Sequence, residues 1–193
     1  MLNNIKQIKL VGIIMLVLTL QGCAVATVVA ITAGATMVSD RRSIGNQIDD
    51  QTIEFNVHNE LAKQKSIIDN TNLHVVSVNG SVLIVGQAPN TYLRDLAIKT
   101  VTEVEGVVQI HNQIRISSTT AVTTQTNDIW LTSKVKSALF ASDKVNVKDI
   151  KVVTENGEVF LMGLVSKNEA DAAVSVTRNI SGVSRVFKAF EYL

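Results

Sequence analysis

Apolar residues recur at every fourth position in two separate parts of the chain. The first series is Ile53, Val57 and Leu61, and the second is Leu131, Val135 and Leu139. This spacing places the apolar side chains on one face of an α-helix, so each series predicts an amphipathic helix. Asp50 and Asp128 precede the two series, where the side-chain acceptor of a helix N-cap belongs. We therefore expect the two helices to begin at these aspartates.

Alternation of apolar and polar residues follows each helix and predicts a β-hairpin. The runs 73–78 and 82–85 are joined by Asn79-Gly80, and Asn156-Gly157 joins the corresponding runs later in the chain. An Asn-Gly pair in this setting favours a type I′ turn, because both central residues of that turn need a positive φ. A second helix and a last strand are expected after each hairpin, first over 90–104 and 107–116, then over 167–180 and 183–192.

The two units form a sequence repeat of the order αββαβ. Residues 50–61 align with 128–139 at an offset of 78, residues 76–86 with 153–163 at 77, and residues 104–107 with 180–183 at 76. Two drifts of one residue indicate a duplication with small gaps. The chain therefore predicts two α+β domains, 50–117 and 128–193, joined by a polar linker over 118–127. In each domain we expect a small mixed three-stranded sheet packed on two helices.

A targeting segment precedes the repeat. Two lysines stand before an uncharged apolar run, residues 10–20, and a Leu-Gln-Gly-Cys tetrapeptide that ends at Cys23 follows it. This is the layout of a secretory signal peptide, and the run is shorter than the roughly 20 apolar residues that cross a bilayer. The tetrapeptide resembles a bacterial lipobox, in which the cysteine is diacylated and becomes the first mature residue. We therefore predict a signal peptide over 1–22, a lipid on Cys23, and a lipidated N-terminus and linker over 23–49.

A membrane-spanning helix through Cys23 is the alternative interpretation, since no charged residue occurs between positions 10 and 39. The residues after Cys23 are rich in Ala, Thr and Gly, which makes them a weak membrane core. Ala24 follows the cysteine in place of the Asp that retains many such lipoproteins at the inner membrane. The lipobox resemblance therefore points to the outer membrane.

The composition of the chain excludes several classes of function. The chain has 18 basic and 17 acidic residues, a formal charge of +1, which excludes a broad electrostatic footprint for nucleic acid. A single cysteine excludes an internal disulfide and a cysteine-based zinc site. The three histidines, His58, His74 and His111, have no metal-ligand spacing, and the chain has no phosphate-binding loop or nucleophile elbow. We expect no catalytic residue, no metal and no cofactor.

Glycines at matching places in both units resemble those of the BON domain. They follow the hairpin asparagine, end the second strand and precede the last strand: Gly80, Gly86 and Gly106-Val107 in the first unit, and Gly157, Gly163 and Gly182-Val183 in the second. A lipoprotein signal followed by two such domains is similar to dual-BON lipoproteins of Gram-negative bacteria. The resemblance implies an outer-membrane lipoprotein facing the periplasm that binds anionic phospholipid through its second BON domain, is enriched at division sites and maintains envelope integrity.

The outer faces of the two first helices differ. The second carries Trp130 and Phe140 opposite its apolar series, with Lys134 and Lys136 at the margins, whereas Phe55 is the only ring on the first. Rings flanked by lysines are typical of a lipid headgroup boundary. On the first helix, His58 and the acids Glu54 and Glu60 do not favour an anionic surface. The predicted phospholipid-binding residues are Trp130, Leu131, Ser133, Lys134, Lys136, Ser137 and Phe140.

Other interpretations of this surface stay open. Trp130 and Phe140 could pack on the linker or the other domain, and the lysines could simply solvate a helix face. The alternative function is an envelope adaptor that contacts the outer-membrane protein assembly machinery or cell-wall amidase regulators. Sheet faces or the edge strands 107–116 and 183–192 would then accept a protein partner.

Overall fold

The structure is a computed structural model that describes residues 40–118 and 122–193, with the side chains of 122 and 123 excepted. The predicted signal peptide and the lipidation site at Cys23 lie outside the described residues. The helices and strands of the first domain are α1 (Ile44–Lys63), α2 (Lys65–Ile68), β1 (Asn72–Val78), β2 (Ser81–Ala88), α3 (Thr91–Thr102) and β3 (Gln109–Ile116). Those of the second are α4 (Val122–Phe140), a 3-10 turn (Val147–Asp149), β4 (Ile150–Glu155), β5 (Glu158–Val165), α5 (Lys167–Arg178) and β6 (Arg185–Tyr192).

Each domain contains one mixed three-stranded sheet. In the first, β2 lies in the centre, antiparallel to β1 and parallel to β3, and the second repeats this with β5 between β4 and β6. The αββαβ order and the α+β class predicted from the sequence are confirmed. The short helix α2 and the 3-10 turn are additions that the periodicity did not indicate.

The hairpin turns have the predicted backbone. Asn79 and Gly80 have φ of 51° and 76°, and Asn156 and Gly157 have 52° and 73°. Gly86 has a different reason to be glycine, because a Cβ there would lie 1.9 Å from the Asn72 carbonyl oxygen of β1. Both features bring β1 close against β2, which fixes the hairpin next to the first helix.

The aspartate N-caps predicted for the first helices are wrong. α1 begins at Ile44 after Ser43, whose hydroxyl accepts from the Asn46 amide at 3.0 Å, and α4 begins at Val122. Both helices therefore extend into the predicted linkers 23–49 and 118–127. The apolar series marks where each helix reaches the sheet, and the helix itself starts several residues earlier.

Both aspartates instead cap a hairpin turn. The Asp50 carboxylate accepts from the amides of Asn79 and Gly80 at 2.9 and 3.0 Å, and Asp128 accepts from the Asn156 and Gly157 amides, both at 2.8 Å. A buried carboxylate that accepts backbone N–H groups satisfies turn donors that would otherwise lie buried without partners. Each first helix is thereby tied to the Asn-Gly turn of its own domain.

The two domains pack sheet against sheet. One face of each sheet covers its own helices, and the other faces meet in a third apolar cluster built from Val78, Leu83, Val85, Val153, Phe160 and Met162. The Phe160 ring stacks on that of Phe187 with centroids 4.8 Å apart. The layers therefore run helix, sheet, sheet, helix, and the central strands β2 and β5 are buried on both faces.

Candidate functional site

The outer face of α4 is set by what its inner face buries. Leu131, Val135 and Leu139 are fully buried in the second domain's core, as the periodicity predicts. Because side chains on a helix repeat every 3.6 residues, this burial turns the opposite side of the helix to solvent. The helix face that carries the predicted rings and lysines is thus exposed.

Trp130 and Lys134 form a pair on this face. The Trp130 side chain is 57% exposed, and the Lys134 ammonium lies 4.1 Å from its ring centroid. The same ammonium donates to the Ser181 carbonyl oxygen at 3.1 Å, so two contacts fix its position. A cation over an indole face is an attractive contact. The pair presents a large apolar ring and a positive charge side by side.

A shallow groove of about 500 Å³ runs beside the indole ring. Its lining includes Trp130, Ser133, Lys134 and Ser137, four of the residues predicted from the sequence, together with Ala138 and Ile180. The remaining exposed members, Lys136 and Phe140, lie on a neighbouring stripe of α4, and Phe140 is 77% exposed. The sequence-predicted set is therefore brought to one side of the helix with one exception.

Leu131 is that exception, and its assignment to the exposed surface is corrected. Its side chain has no exposed area and belongs to the core cluster, so it holds the helix in place and does not reach an external surface. Ile129 was missed by sequence reasoning and is 70% exposed. It lies four residues before Ser133, and the helical spacing that placed Ser133 outside could have found it.

The equivalent surface of α1 has another chemistry. At the offset of 78, Thr52 and Asn56 take the places of Trp130 and Lys134. They line a cavity of about 450 Å³ whose rim also includes the carboxylates of Asp49 and Glu105. The first domain therefore has an acidic recess where the second has a ring and an ammonium.

The acids that the sequence analysis placed on α1 are largely paired. Glu54 forms an ion pair with Lys151 at 2.9 Å across the domain interface, and Glu60 pairs with Lys63 at 2.6 Å on the surface. The outer face of α1 also exposes apolar residues: Ile44, Ile48 and Phe55. The difference in surface charge between the two domains therefore comes mainly from Asp49 and Glu105 in the first and from Lys134 beside Trp130 in the second. Glu54 and Glu60 contribute less, because each is paired with a lysine.

Two segments of the chain, residues 49–118 and 127–193, match the family model of the BON domain. The chain belongs to the BON-domain family. We refer to its two domains as BON1 and BON2, which contain α1 and α4 respectively.

Three relatives are similar to this chain in sequence over most of its length. The outer membrane lipoprotein DolP of Haemophilus influenzae is 41% identical over 90% of this chain and 90% of its own length. The 21 kDa hemolysin of Actinobacillus pleuropneumoniae is 40% identical over 80% of this chain and 79% of its own. The osmotically-inducible protein Y of Escherichia coli is 30% identical over 80% of this chain and 78% of its own.

Within 40–118 and 122–193, no group of three or more His, Cys, Asp or Glu side chains could hold a metal ion. His111 contacts the Ser81 hydroxyl at 3.0 Å, and desolvation together with His58 lowers the pKa of His74. None of the helices in this part of the chain is long and apolar enough to cross a bilayer. The chemistry available on α4 is non-covalent contact by rings and ammonium groups.

Proposed function

We propose that this protein is an outer-membrane lipoprotein, anchored through Cys23 and facing the periplasm, whose BON2 domain binds anionic phospholipid through the outer face of α4. This contact would enrich the protein at division sites and support the integrity of the envelope. The observation that carries the proposal is the exposed Trp130–Lys134 pair, at the position where BON1 has Thr52 and Asn56. The similarity to an outer membrane lipoprotein supports the cellular location.

The physical basis is the chemistry of the lipid headgroup region. Indole rings favour this region because one end of the ring system is apolar and the N–H can hydrogen-bond. Each lysine near an anionic surface contributes on the order of 1 kcal/mol. Lys134 and Lys136, with Trp130 and Phe140, therefore give weak and reversible binding. The acyl chains on Cys23 would hold the protein at the membrane, while α4 selects the lipid composition.

The exposed rings define how α4 would approach the surface. Ile129, near the middle of α4, and Phe140, at its C-terminal end, are exposed on one side of the helix, and Trp130 lies on the adjacent stripe. A helix with apolar residues at both ends of one side lies parallel to the membrane plane. We therefore expect α4 to rest on the headgroups along its length, with BON1 on the side away from the lipid contact.

Vesicle binding by the fragment 24–193, which lacks the acyl anchor, tests the proposal. We expect the fragment to float with vesicles that contain phosphatidylglycerol and to stay behind with vesicles of phosphatidylcholine alone. Trp130→Glu should weaken the binding about tenfold or more, because it replaces the ring with a charge that the anionic surface repels. The matched control is Thr52→Glu at the equivalent position of BON1, which should bind normally. Equal loss in both variants would contradict the assignment to BON2.

An adaptor role for the outer-membrane assembly machinery or amidase regulators is the second candidate. The sheet faces predicted as docking sites are covered in large part by the helices and by the other sheet, which disfavours docking through them. Strands β3 and β6 lie at sheet edges and are partly exposed, which favours strand addition by a partner. Photo-crosslinkers placed along β6 and α4 in cells separate the candidates. A dominant protein adduct on β6, with no vesicle binding in vitro, would favour the adaptor.

A further inference from the structure

The seam between BON1 and BON2 has two edges related by the repeat. The sheets meet through equivalent positions, since Leu83 corresponds to Phe160 and Val85 to Met162 at the offset of 77. A groove therefore occurs twice, each time between the first helix of one domain and the first strand of the other. Comparison of the two grooves shows what each of them can hold.

The first groove is filled by residues 40–42, which precede α1 and are here named the N-terminal strap. The Arg41 amide donates to Asp149 at 2.9 Å, and its guanidinium donates to both carboxylate oxygens of Glu169 at 2.6 and 2.8 Å, all in BON2. The Arg42 guanidinium donates to Asp50 of BON1 at 2.9 Å. The strap thus lies across the seam and contacts both domains through arginine.

Two further contacts close this first groove. The Gln47 side chain donates to the Arg42 carbonyl oxygen at 3.2 Å and so holds the backbone of the strap. The Lys151 ammonium of BON2 donates to Glu54 at 2.9 Å and to the Ser77 carbonyl oxygen at 2.8 Å in BON1. The first groove is therefore neutralised by three cations and occupied by a segment of the chain itself.

The second groove has the same framework, and the described residues that line it leave it open. It encloses a cavity of about 370 Å³, lined among others by Asn72, His74, Gln125, Asp128, Thr132 and Glu155. Asp128 corresponds to Asp50, and Gln125 corresponds to Gln47, so the carboxylate and the amide that hold the strap in the first groove both recur. We name this cavity the open groove.

Two replacements keep the open groove from closing. His74 takes the place of Lys151, and Thr132 takes the place of Glu54, so the ion pair that covers the first groove has no equivalent. The Thr132 hydroxyl donates instead to the Thr154 hydroxyl at 2.8 Å. Among the described residues, the space that the Lys151–Glu54 ion pair fills in the first groove is therefore not filled by an ion pair in the second.

The open groove also differs from the first in charge. Glu155 stands where the first groove has Val78, and its carboxyl accepts from the Gln87 side chain of BON1. Burial raises the pKa of Glu155, which disfavours its charged form, so the negative charge of the groove rests on Asp128. Desolvation lowers the pKa of His74, so this side chain adds no positive charge at neutral pH. Asp128 accepts the two turn amides, and among the described residues it has no arginine contact of the kind that Arg42 makes with Asp50. Among the described residues, Asp128 therefore faces the cavity without a cation that corresponds to Arg42.

We propose that the open groove binds an extended peptide segment of a partner protein that carries arginine, in the way the first groove holds the N-terminal strap. A guanidinium fits this site because it donates several hydrogen bonds in one plane and keeps its charge when partly buried. The chain's own linker aligns with the strap but reads Ser-Thr-Thr-Ala over 118–121, without a basic residue. It therefore has no group that could take the place of Arg42 at Asp128.

A labelled peptide with the sequence of residues 38–44, which includes both strap arginines, is the probe. Its binding to the full chain in detergent is measured by fluorescence anisotropy, beside a matched peptide with Gln at both arginine positions. We expect the arginine peptide to bind and the Gln peptide to bind about tenfold more weakly or not at all, as expected for loss of a charged hydrogen-bonded pair. Equal binding of the two peptides would overturn the proposal.

Variants of the protein show which of the two grooves the peptide occupies. His74→Lys with Thr132→Glu recreates the covering ion pair on two surface positions and should reduce peptide binding about tenfold. Asp128→Asn should reduce it as well, with thermal unfolding as the check on folding. Trp130→Glu should leave it unchanged, which separates this site from the lipid contact. Undiminished binding by the His74→Lys, Thr132→Glu variant would overturn the proposal and place the peptide in the strap's own groove. Dissociation of a dimer by the peptide would overturn it as well, because the occupant of the open groove would then be a second copy of the chain.

Discussion

The first helices of BON1 and BON2 share their buried faces and differ on their exposed ones. Both bury three aliphatic residues at four-residue spacing, and both tie an aspartate to the Asn-Gly turn. On the outside, Thr52 and Asn56 of α1 correspond to Trp130 and Lys134 of α4. Residues that face the sheet and the turn therefore maintain the fold in both domains. The outer faces are not constrained in this way, so α4 can differ from α1 there without a change in the fold.

The largest expected effect concerns what the two helices share. Asp50→Ala removes a carboxylate that is 1% exposed, and one guanidinium nitrogen of Arg42, a hydroxyl and two amides lose their acceptor, although Arg42 stays paired with Asp40. We expect a loss of about 3–5 kcal/mol in the free energy of unfolding, the range for breaking a buried ion pair. Asp128→Ala removes two turn bonds and should lose about 1–3 kcal/mol. Urea denaturation measures both, and equal losses would show that Arg42 contributes nothing to the difference.

The second effect comes from moving the α4 chemistry onto α1. Thr52→Trp with Asn56→Lys, made in the Trp130→Glu variant of residues 24–193, should recover about tenfold in vesicle affinity, since a lysine near an anionic surface contributes ~1 kcal/mol and the ring adds to it. Asp49→Asn with Glu105→Gln should increase the recovery, because these carboxylates lie on the rim of the same recess. Flotation with phosphatidylglycerol vesicles is the measurement. Unchanged affinity would mean that the ring and lysine need more of BON2 than this face.

A smaller effect is expected from the charges of α4 alone. Lys134→Gln and Lys136→Gln should each weaken vesicle binding about fivefold at low salt, the equivalent of ~1 kcal/mol per lysine. The difference from wild type should shrink as salt is raised, because exposed charges are screened. Asn56→Gln, at the BON1 position equivalent to Lys134, is the matched control and should have no effect. A loss that is independent of salt would indicate a packing role for the lysines.

The smallest effect concerns the N-terminal strap, which touches both domains. Arg41 and Ser166 lower the pKa of Glu169 to about 2. A folded pKa below the unfolded value stabilises the fold above the unfolded pKa, and this contribution is lost as the pH falls from about 4.5 towards 2. Glu169→Gln should therefore flatten this part of the stability–pH curve by less than about 1 kcal/mol, as for other partly exposed pairs. An identical curve for the variant would show that the strap is not held through Glu169.

Local sequence pattern predicted the elements but not every role within them. The series through Val135 and the Asn79-Gly80 pair gave the helix face and the turn, because helix periodicity and positive φ are local properties. Asp50 looked like an N-cap because it precedes an apolar series, and its partners lie 27 to 30 residues away in the hairpin. Aspartate can cap either a helix N-terminus or a hairpin turn, so its presence alone does not show which backbone N–H groups donate to it.

The packing of the two domains lay beyond local pattern. The runs around Val85 and Phe160, which the hairpin prediction treated as alternating, are apolar throughout. This is typical of strands buried on both faces, but such a run does not show what covers the second face. The strap residues Arg41 and Arg42 have no periodicity, and the BON2 partners of Arg41 are more than 100 residues away along the chain. On α4, the helical spacing of the apolar series placed Trp130 and Phe140 correctly on the exposed side, but the prediction missed Ile129.

The emission of Trp130 on vesicles tests the central assignment most directly, because this is the only tryptophan in the chain. Residues 24–193, without the acyl anchor, are mixed with vesicles of phosphatidylglycerol or of phosphatidylcholine, and brominated acyl chains serve as quenchers. We expect a blue shift and quenching with phosphatidylglycerol and neither with phosphatidylcholine, since an indole at the headgroup boundary leaves water. A fragment that floats with phosphatidylglycerol vesicles while its emission stays unshifted and unquenched would contradict the assignment of lipid binding to α4.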